Sequence, residues 1–356
     1  MVGLAPRGAR PAAARFVARK ERETLVVIEG ERIMKRRIAL ATIVLGACVL
    51  AIASPRAQQP GGAPPPPNPA ANPPRLPLEQ RISHNDPSRY RPSPSVHGGP
   101  GRLNYFGMFG GEALDTNLWF LHRGVIEPKS GIGAHFHNYC EEMFVILDGE
   151  AQFTIDGRTA SVKGPAGVLC RTGHSHAIYN PGPGPVQWMN LNVSLVAGVY
   201  DNFDLGDTRA GVALDAIPTF MTVRLDPSLL RAPGGRGRGA PAAPPPANAV
   251  LSRRIAGPAM FSTTWAYLDH VLVPPGATTP ELTHESVGEA YYVLGGDGTI
   301  HLAAEPAAVR TGDAIAIRLG ETTRFTNGGS APLELLVMGV ARDAAAKTAL
   351  LTAAPR

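Results

Sequence analysis

The sequence is short of cysteine, of charge, and of any apolar run long enough to span a bilayer. Three cysteines in 356 residues rule out the disulfide lattice that staples small secreted domains. Cys48 falls in an apolar run near the N-terminus, which leaves Cys140 and Cys170. These two form one bond or remain two small buried thiols, and thiols are the plainer reading. The formal charge of +5 is an end effect: residues 1–57 hold 11 Lys+Arg and 4 Asp+Glu, so totals of 34 and 29 leave 23 against 25, a net of −2, for the rest. A near-neutral body gives nucleic acid no electrostatic footing, and no nucleic-acid partner is expected.

The N-terminal run at 38–53 follows Met34-Lys-Arg-Arg37 and ends in small residues, Ala51-Ile-Ala53. A basic start, an apolar middle and a small-residue end are the pattern of a cleaved signal peptide. The run is shorter than the roughly 20 residues of a spanning helix, so no stable membrane span is expected after cleavage. Residues 1–57 therefore read as an upstream extension plus a signal peptide at 34–57, with Met34 as the working start and an exported, periplasmic or secreted product. Residues 58–87 read as a proline-rich disordered linker, and the Arg/Gly/Pro-rich stretch at 229–247, whose arginines stand without aromatics, as a second loop. Two units lie between and after them, 88–228 and 248–342, followed by a C-terminal helix and tail at 343–356 led by Asp343.

What the chain does have is a cluster of metal-ligand residue types. In Gly133-Ala-His135-Phe-His137-Asn-Tyr-Cys-Glu-Glu142 the two histidines are two apart, so both rings leave one face of an extended strand. Glu142 opens the next apolar strand, Met143–Leu147, which stops at Asp148-Gly149. Two imidazoles and a carboxylate suit divalent iron, manganese, nickel, copper or zinc. A second stretch, Gly173-His174-Ser175-His176-Ala-Ile-Tyr-Asn180, follows another strand-like run, 167–170. Strand 143–147 is apolar on both faces and should be covered on both.

His-X-His, four residues, Glu, six residues, Gly, then Gly, two residues, His, three residues, Asn closely resembles the two-part signature of the cupin superfamily, here as His135, His137, Glu142, Gly149, Gly173, His176 and Asn180. Arg171 stands where that family usually has proline, and Lys129 where it has a leading glycine. The resemblance implies one divalent transition metal held by His135, His137, Glu142 and His176 inside a small β-barrel. It also gives Glu142 a second role, as general base. His174 either faces the pocket mouth as a catalytic group or caps its turn, and Asn138, Tyr139 and Trp188 either line the cavity or simply pack.

The signature recurs at a constant offset of 147: His284, Glu289, Gly296, Arg318, Gly320 and Asn327 answer His137, Glu142, Gly149, Arg171, Gly173 and Asn180. Such regularity is the mark of a duplicated unit. Leu282 and Thr323 replace His135 and His176, so the second copy keeps too few ligands for a tight first-row metal site. Both copies show short strands and turns, led by 118–126 and 264–273, with Trp119 and Trp265 each nine residues before a proline. The expected fold is all-β: two tandem jelly-roll (double-stranded β-helix) barrels with few short helices.

By this resemblance the chain is expected to be a metal-dependent dioxygenase acting on a small oxygenated organic substrate, similar to the flavonol-cleaving enzymes. The alternatives are an oxalate-decarboxylase-like lyase and a non-catalytic, metal-stabilised small-molecule or sugar-binding protein. A small-molecule partner is common to all three, and the sequence leaves a homo-oligomer open.

Overall fold

A computed structural model describes residues 76–207, 212–232 and 246–352, all within one compact unit, 65–356. The extension, the signal peptide, most of the proline-rich linker, the centre of the Arg/Gly/Pro-rich loop and the last four residues lie outside the described residues.

In the first copy the chain shuttles between two antiparallel sheets. The larger runs, in spatial order, Thr222–Arg224, Ala166–Cys170, Cys140–Ile146, Val186–Ser194, Leu118–Ile126, Arg102–Phe109, Arg91–Pro94. The smaller runs Phe203–Asp207, Gly131–Phe136, Ser175–Tyr179, Glu150–Ile155, Arg158–Lys163. The second copy repeats the plan. Its larger sheet has Val287–Gly295, Leu333–Ala341 and Trp265–Val273 as neighbours, and its smaller sheet has Leu282–Thr283, Thr322–Thr326, Asp297–Leu302 and Glu305–Arg310. Strands Leu118–Ile126 and Val186–Ser194 map onto Trp265–Val273 and Leu333–Ala341 at the offset of 147. Trp265 therefore answers Leu118 and not Trp119; Trp119 stacks on Tyr200 at 5.5 Å, while Trp265 is fully buried. A one-residue slip on a strand changes the face a side chain occupies.

The signature residues outside the ligand set act as turn locks, identically in both copies. Gly149, Gly173, Gly296 and Gly320 all have φ between +66° and +79°, where a side chain costs energy. Asn180 Nδ2 donates to the carbonyls of Ile126 (3.0 Å) and Gly184 (2.8 Å), and Asn327 Nδ2 does the same to Val273 (2.8 Å) and Ala331 (2.9 Å). Lys129, in place of the family glycine, adopts φ +55°.

Every residue of Cys140–Ile146 is buried. Phe144 and Ile146 point into the first barrel with Phe153 and Ile178. Met143 and Val145 point the other way, into a core shared with Leu268, Tyr292 and Met338 of the second barrel. The two large sheets thus pack back to back, and the barrels form one body. Their contacts have approximate two-fold symmetry: Arg171 Nε donates to Ser262 Oγ (2.9 Å) and Arg318 Nε to Asp115 Oδ2 (2.6 Å), both members of each pair being shifted by 147. Arg171, where the resemblance expects proline, is thus an inter-barrel residue. Glu141, fully buried, accepts from the backbone N–H of Ser262 (2.9 Å) and Thr263 (3.1 Å) across the same junction.

The linker expectation is corrected at its C-terminal end. Residues 78–83 form a 3-10 turn, Leu78–Arg81, and a strand, Ile82–Ser83, that pairs with Ala314–Ile317 of the second barrel. Leu78 is buried in that barrel's core, and Arg81 makes a buried bidentate pair with Glu321 at 2.9 and 2.5 Å. Proline-rich composition marks the tether, but the apolar and charged residues that follow find partners nearly 240 positions away. The only α-helix among the described residues, Ala344–Thr352, starts where Asp343 Oδ1 accepts from Ala346 N (2.8 Å). No helix among the described residues is long and apolar enough to cross a membrane.

Candidate metal centre

His135 lies on Gly131–Phe136 and His176 on Ser175–Tyr179, directly opposite each other in the small sheet. The turn after His137 carries the chain across to the large sheet, where Glu142 is the third residue of its strand. The ligands therefore converge from two facing sheets, His135 and His176 from paired strands of the small sheet and Glu142 from the large one. Their ligand atoms all lie within 4.8 Å of one another, in four buried residues. Glu142 Oε2 is 2.9 Å from His176 Nε2, 3.0 Å from His137 Nε2 and 3.8 Å from His135 Nε2. Nε2 of His135 and His176 are 2.9 Å apart.

His135 donates Nδ1–H to the Gly133 carbonyl at 2.8 Å, and His137 donates its own to the Asp201 carbonyl. A carbonyl only accepts, so in the neutral ring both Nε2 lone pairs turn inward. Burial pushes the His135 ring down to about 4 and lowers His176 as well, whereas for His137 burial acts downward but the adjacent Glu142 carboxylate outweighs it and raises the ring. For Glu142 burial acts upward, but the three imidazoles packed against it outweigh burial and hold the carboxyl well below its usual range. Inward lone pairs around an ionised carboxylate form an electron-rich nest whose complement is a cation. Ligands roughly 2 Å from one ion stand about 3–4 Å apart, which is the spacing found here. The donor set fits a divalent transition metal.

Several supporting residues have no local signature. Asn190 Nδ2 donates to Glu142 Oε1 at 2.5 Å. The Asp201 carboxylate accepts from the backbone N–H of Asn138 (2.8 Å) and Tyr139 (2.9 Å), fixing the turn after His137. The His97 ring stacks on His135 at 3.8 Å and 12°, with its Nδ1 2.5 Å from Asp204 Oδ1. His97 takes φ +50° to do so, an unfavourable backbone for a bulky residue. His122 is stacked on Phe120 at 3.9 Å on the inner face of the large sheet. The only sequence signal for any of these was that His122, Asn190 and Asn192 interrupt otherwise apolar strands.

His174 is corrected. Its ring is half exposed and held by Asp156 Oδ2 at 2.6 Å, while Asp156 Oδ1 accepts from Ser175 N at 2.9 Å. The Asp156-Gly157 turn anchors it at the surface, away from the buried cluster. Asn138 and Tyr139 are exposed, and Trp188 is packed inside the barrel core. Cys140 and Cys170 are separate buried thiols.

The second copy engages the oxygens of its remaining carboxylate, Glu289, with phenols, beside His284 Nε2 at 3.3 Å. Leu282 is 39% exposed and Thr323 is buried. Tyr267 donates its hydroxyl to Glu289 Oε1 at 2.6 Å, and Tyr291 donates to Oε2. Shifted by 147, these tyrosines are Phe120 and Phe144 of the first copy. Two phenol protons stand where the first barrel leaves room for an ion.

The cupin domain family matches the chain twice, over residues 122–193 and 269–339. An oxalate-binding protein of Thermotoga maritima is 29% identical over 103 residues, 28% of this chain and 84% of that protein. Oxalate decarboxylase of Bacillus subtilis has a similar fold, with TM-score 0.50 and 16% identity over 73% of this chain and 76% of that one. Salicylate 1,2-dioxygenase of Pseudoaminobacter salicylatoxidans also shares the fold, with TM-score 0.50 and 14% identity over 67% and 73% of the two chains. With the cupin domain matched in both halves and the same double-sheet barrel built by each, the chain carries two tandem cupin domains.

Proposed function

We propose that the first barrel is a metal-dependent dioxygenase site acting on a small, uncharged, oxygenated organic molecule. The observation that carries this reading is the setting of the three-histidine, one-glutamate cluster. It lies in a barrel interior furnished with Tyr105, Phe120, His122 and Trp188 and, among the described residues, lacking any cationic side chain. Of the described lysines and arginines between residues 88 and 228, all are exposed except Arg123, which turns outward to donate to Tyr292 of the second barrel at 3.0 Å. A buried dicarboxylate beside Glu142 would have no counter-charge from the protein.

His135, His137, Glu142 and His176 would hold the metal, which supplies open positions for substrate and dioxygen. Asn190 keeps one oxygen of Glu142 engaged, which leaves the other to take a proton from a substrate hydroxyl. The aromatic side chains keep water out and present flat apolar walls to a ring. The test is an oxygen electrode on protein loaded with iron, manganese, copper or nickel. Oxygen uptake with an enediol, catechol or flavonol is the expected outcome, and no uptake with any metal would end the reading.

A second reading is supported by the relatives. One curated relative binds oxalate, and the fold is shared with a decarboxylase that has Mn(II) centres. Carbon dioxide release from oxalate by the manganese-loaded protein would establish it. If both assays are silent, a metal-stabilised binding protein is left. We also propose that the chain is exported: N-terminal sequencing of the protein recovered from its host should begin after Ala53 or Ala57, and an N-terminus upstream of Met34 would refute this.

A further inference from the structure

Asn190 and His122 are paired residues on adjacent strands of the large sheet, and both face the barrel interior. Paired residues on one face have Cβ atoms about 5 Å apart, so one small group can touch both side chains. Asn190 is only 6% exposed. Its amide cannot flip: Nδ2 donates to Glu142 Oε1, and an ionised carboxylate only accepts. The other end, Oδ1, is therefore fixed as an acceptor, and it is buried with no partner. A buried acceptor left unpaired is costly, and native proteins keep such groups for a reason.

His122 stacks flat on Phe120 (3.9 Å) and meets the tilted Tyr105 ring at 5.2 Å. Its ring makes no hydrogen bond among the described residues. Burial pushes it down to about 4, so it is neutral and offers one N–H donor and one bare nitrogen. The pair thus presents a fixed acceptor beside a donor. A hydroxyl group satisfies both at once, donating to Asn190 Oδ1 and accepting from the His122 N–H. A carboxylate has no proton for Asn190 Oδ1 and would set two acceptors against each other.

We propose that Asn190 Oδ1 and the His122 ring jointly read a substrate hydroxyl, and so select phenols, enols or alcohols over carboxylates. This deepens the proposed function and rests on the first barrel binding its substrate at the metal. The role is one of specificity, exerted from outside the ligand set by Asn190 on the strand next to that of Glu142 and by His122 on the strand beyond it.

The test uses the full chain loaded with zinc, so that binding is measured without oxygen chemistry. Calorimetric titration with catechol is compared with titration with oxalate, for the wild type and for His122→Phe, which keeps the ring stack. The expected result is catechol binding that weakens about tenfold in the variant, as loss of one buried hydrogen bond predicts, with oxalate binding, zinc content and thermal midpoint unchanged. Equal catechol affinity in the two proteins, a parallel loss for both ligands, or tighter binding of oxalate than of catechol by the wild type would overturn the proposal. The two readings separate cleanly. Oxygen uptake whose KM ignores His122→Phe keeps the dioxygenase and ends the hydroxyl reader. Catechol binding that depends on His122, without oxygen uptake by any metal form, does the reverse.

Discussion

Three of the four candidate ligands are imidazoles whose roles are set by what lies behind them. Gly133 and Asp201 hold Nδ1 of His135 and His137 through backbone carbonyls, so ring orientation survives most side-chain changes nearby. His176 has no such partner at Nδ1 and is held edge-on against the Phe144 ring at 4.9 Å. His176→Ala should therefore abolish stoichiometric metal, and elemental analysis finding one ion per chain in that variant would refute the ligand assignment. Asn180 and Asn327 each satisfy buried carbonyls at a barrel end. Asn327→Ala should cost about 2–4 kcal/mol in chemical denaturation while leaving metal content untouched. His135, His137 and Glu142 were legible in the sequence because a strand followed by a short turn places them within eight positions of one another, and His176 through the second half of the signature. His97, His122 and Asn190 were not, because their proximity depends on register between strands about 40 to 70 residues apart. Of the two roles open to His174 the structure shows the turn cap, because two-residue spacing shares a face only within a strand and the strand begins at Ser175.

At the scale of elements, the strand Cys140–Ile146 divides its labour by alternation. Glu142, Phe144 and Ile146 serve the barrel interior, while Glu141, Met143 and Val145 serve the junction with the second barrel. Its unbroken apolar run announced cover on both faces, and the covering layers are the interior of one barrel and the sheet of the other. The strap at 78–83 was illegible, since a two-residue strand has no periodicity and its partner strand lies more than 230 positions away. Arg81→Ala should expose this dependence. Leaving Glu321 buried without its bidentate guanidinium partner is expected to cost about 3–5 kcal/mol, read as an earlier thermal transition, with the metal site unaffected. In the second barrel, Tyr267→Phe removes one proton donor from Glu289. It should destabilise the protein by about 1–3 kcal/mol, whereas Phe at the equivalent position 120 is native.

Across the whole molecule the dominant feature is the shared apolar core between the two large sheets. Leu191, almost fully buried there, reports on it: Leu191→Ala should cost about 2–5 kcal/mol. Near-UV and far-UV signals should still fall together, because neither sheet face is stable alone in water. Distinct transitions for the two signals would show that the barrels unfold independently. The duplication was legible from a constant offset, but how the copies meet was not, because that is written in Arg171, Ser262, Asp115 and Arg318, which read locally as ordinary surface residues.

The near two-fold junction has a further consequence. In a protein that pairs with its own copy, every substitution is made twice, and a change that ruins one pocket ruins both. Here the two halves are spelled out separately along one chain, so leucine and threonine could displace two ring ligands on one side while the other side kept its full set. Fusion has turned a symmetrical pair into a specialist and its scaffold, each free to drift in its interior so long as the face between them holds.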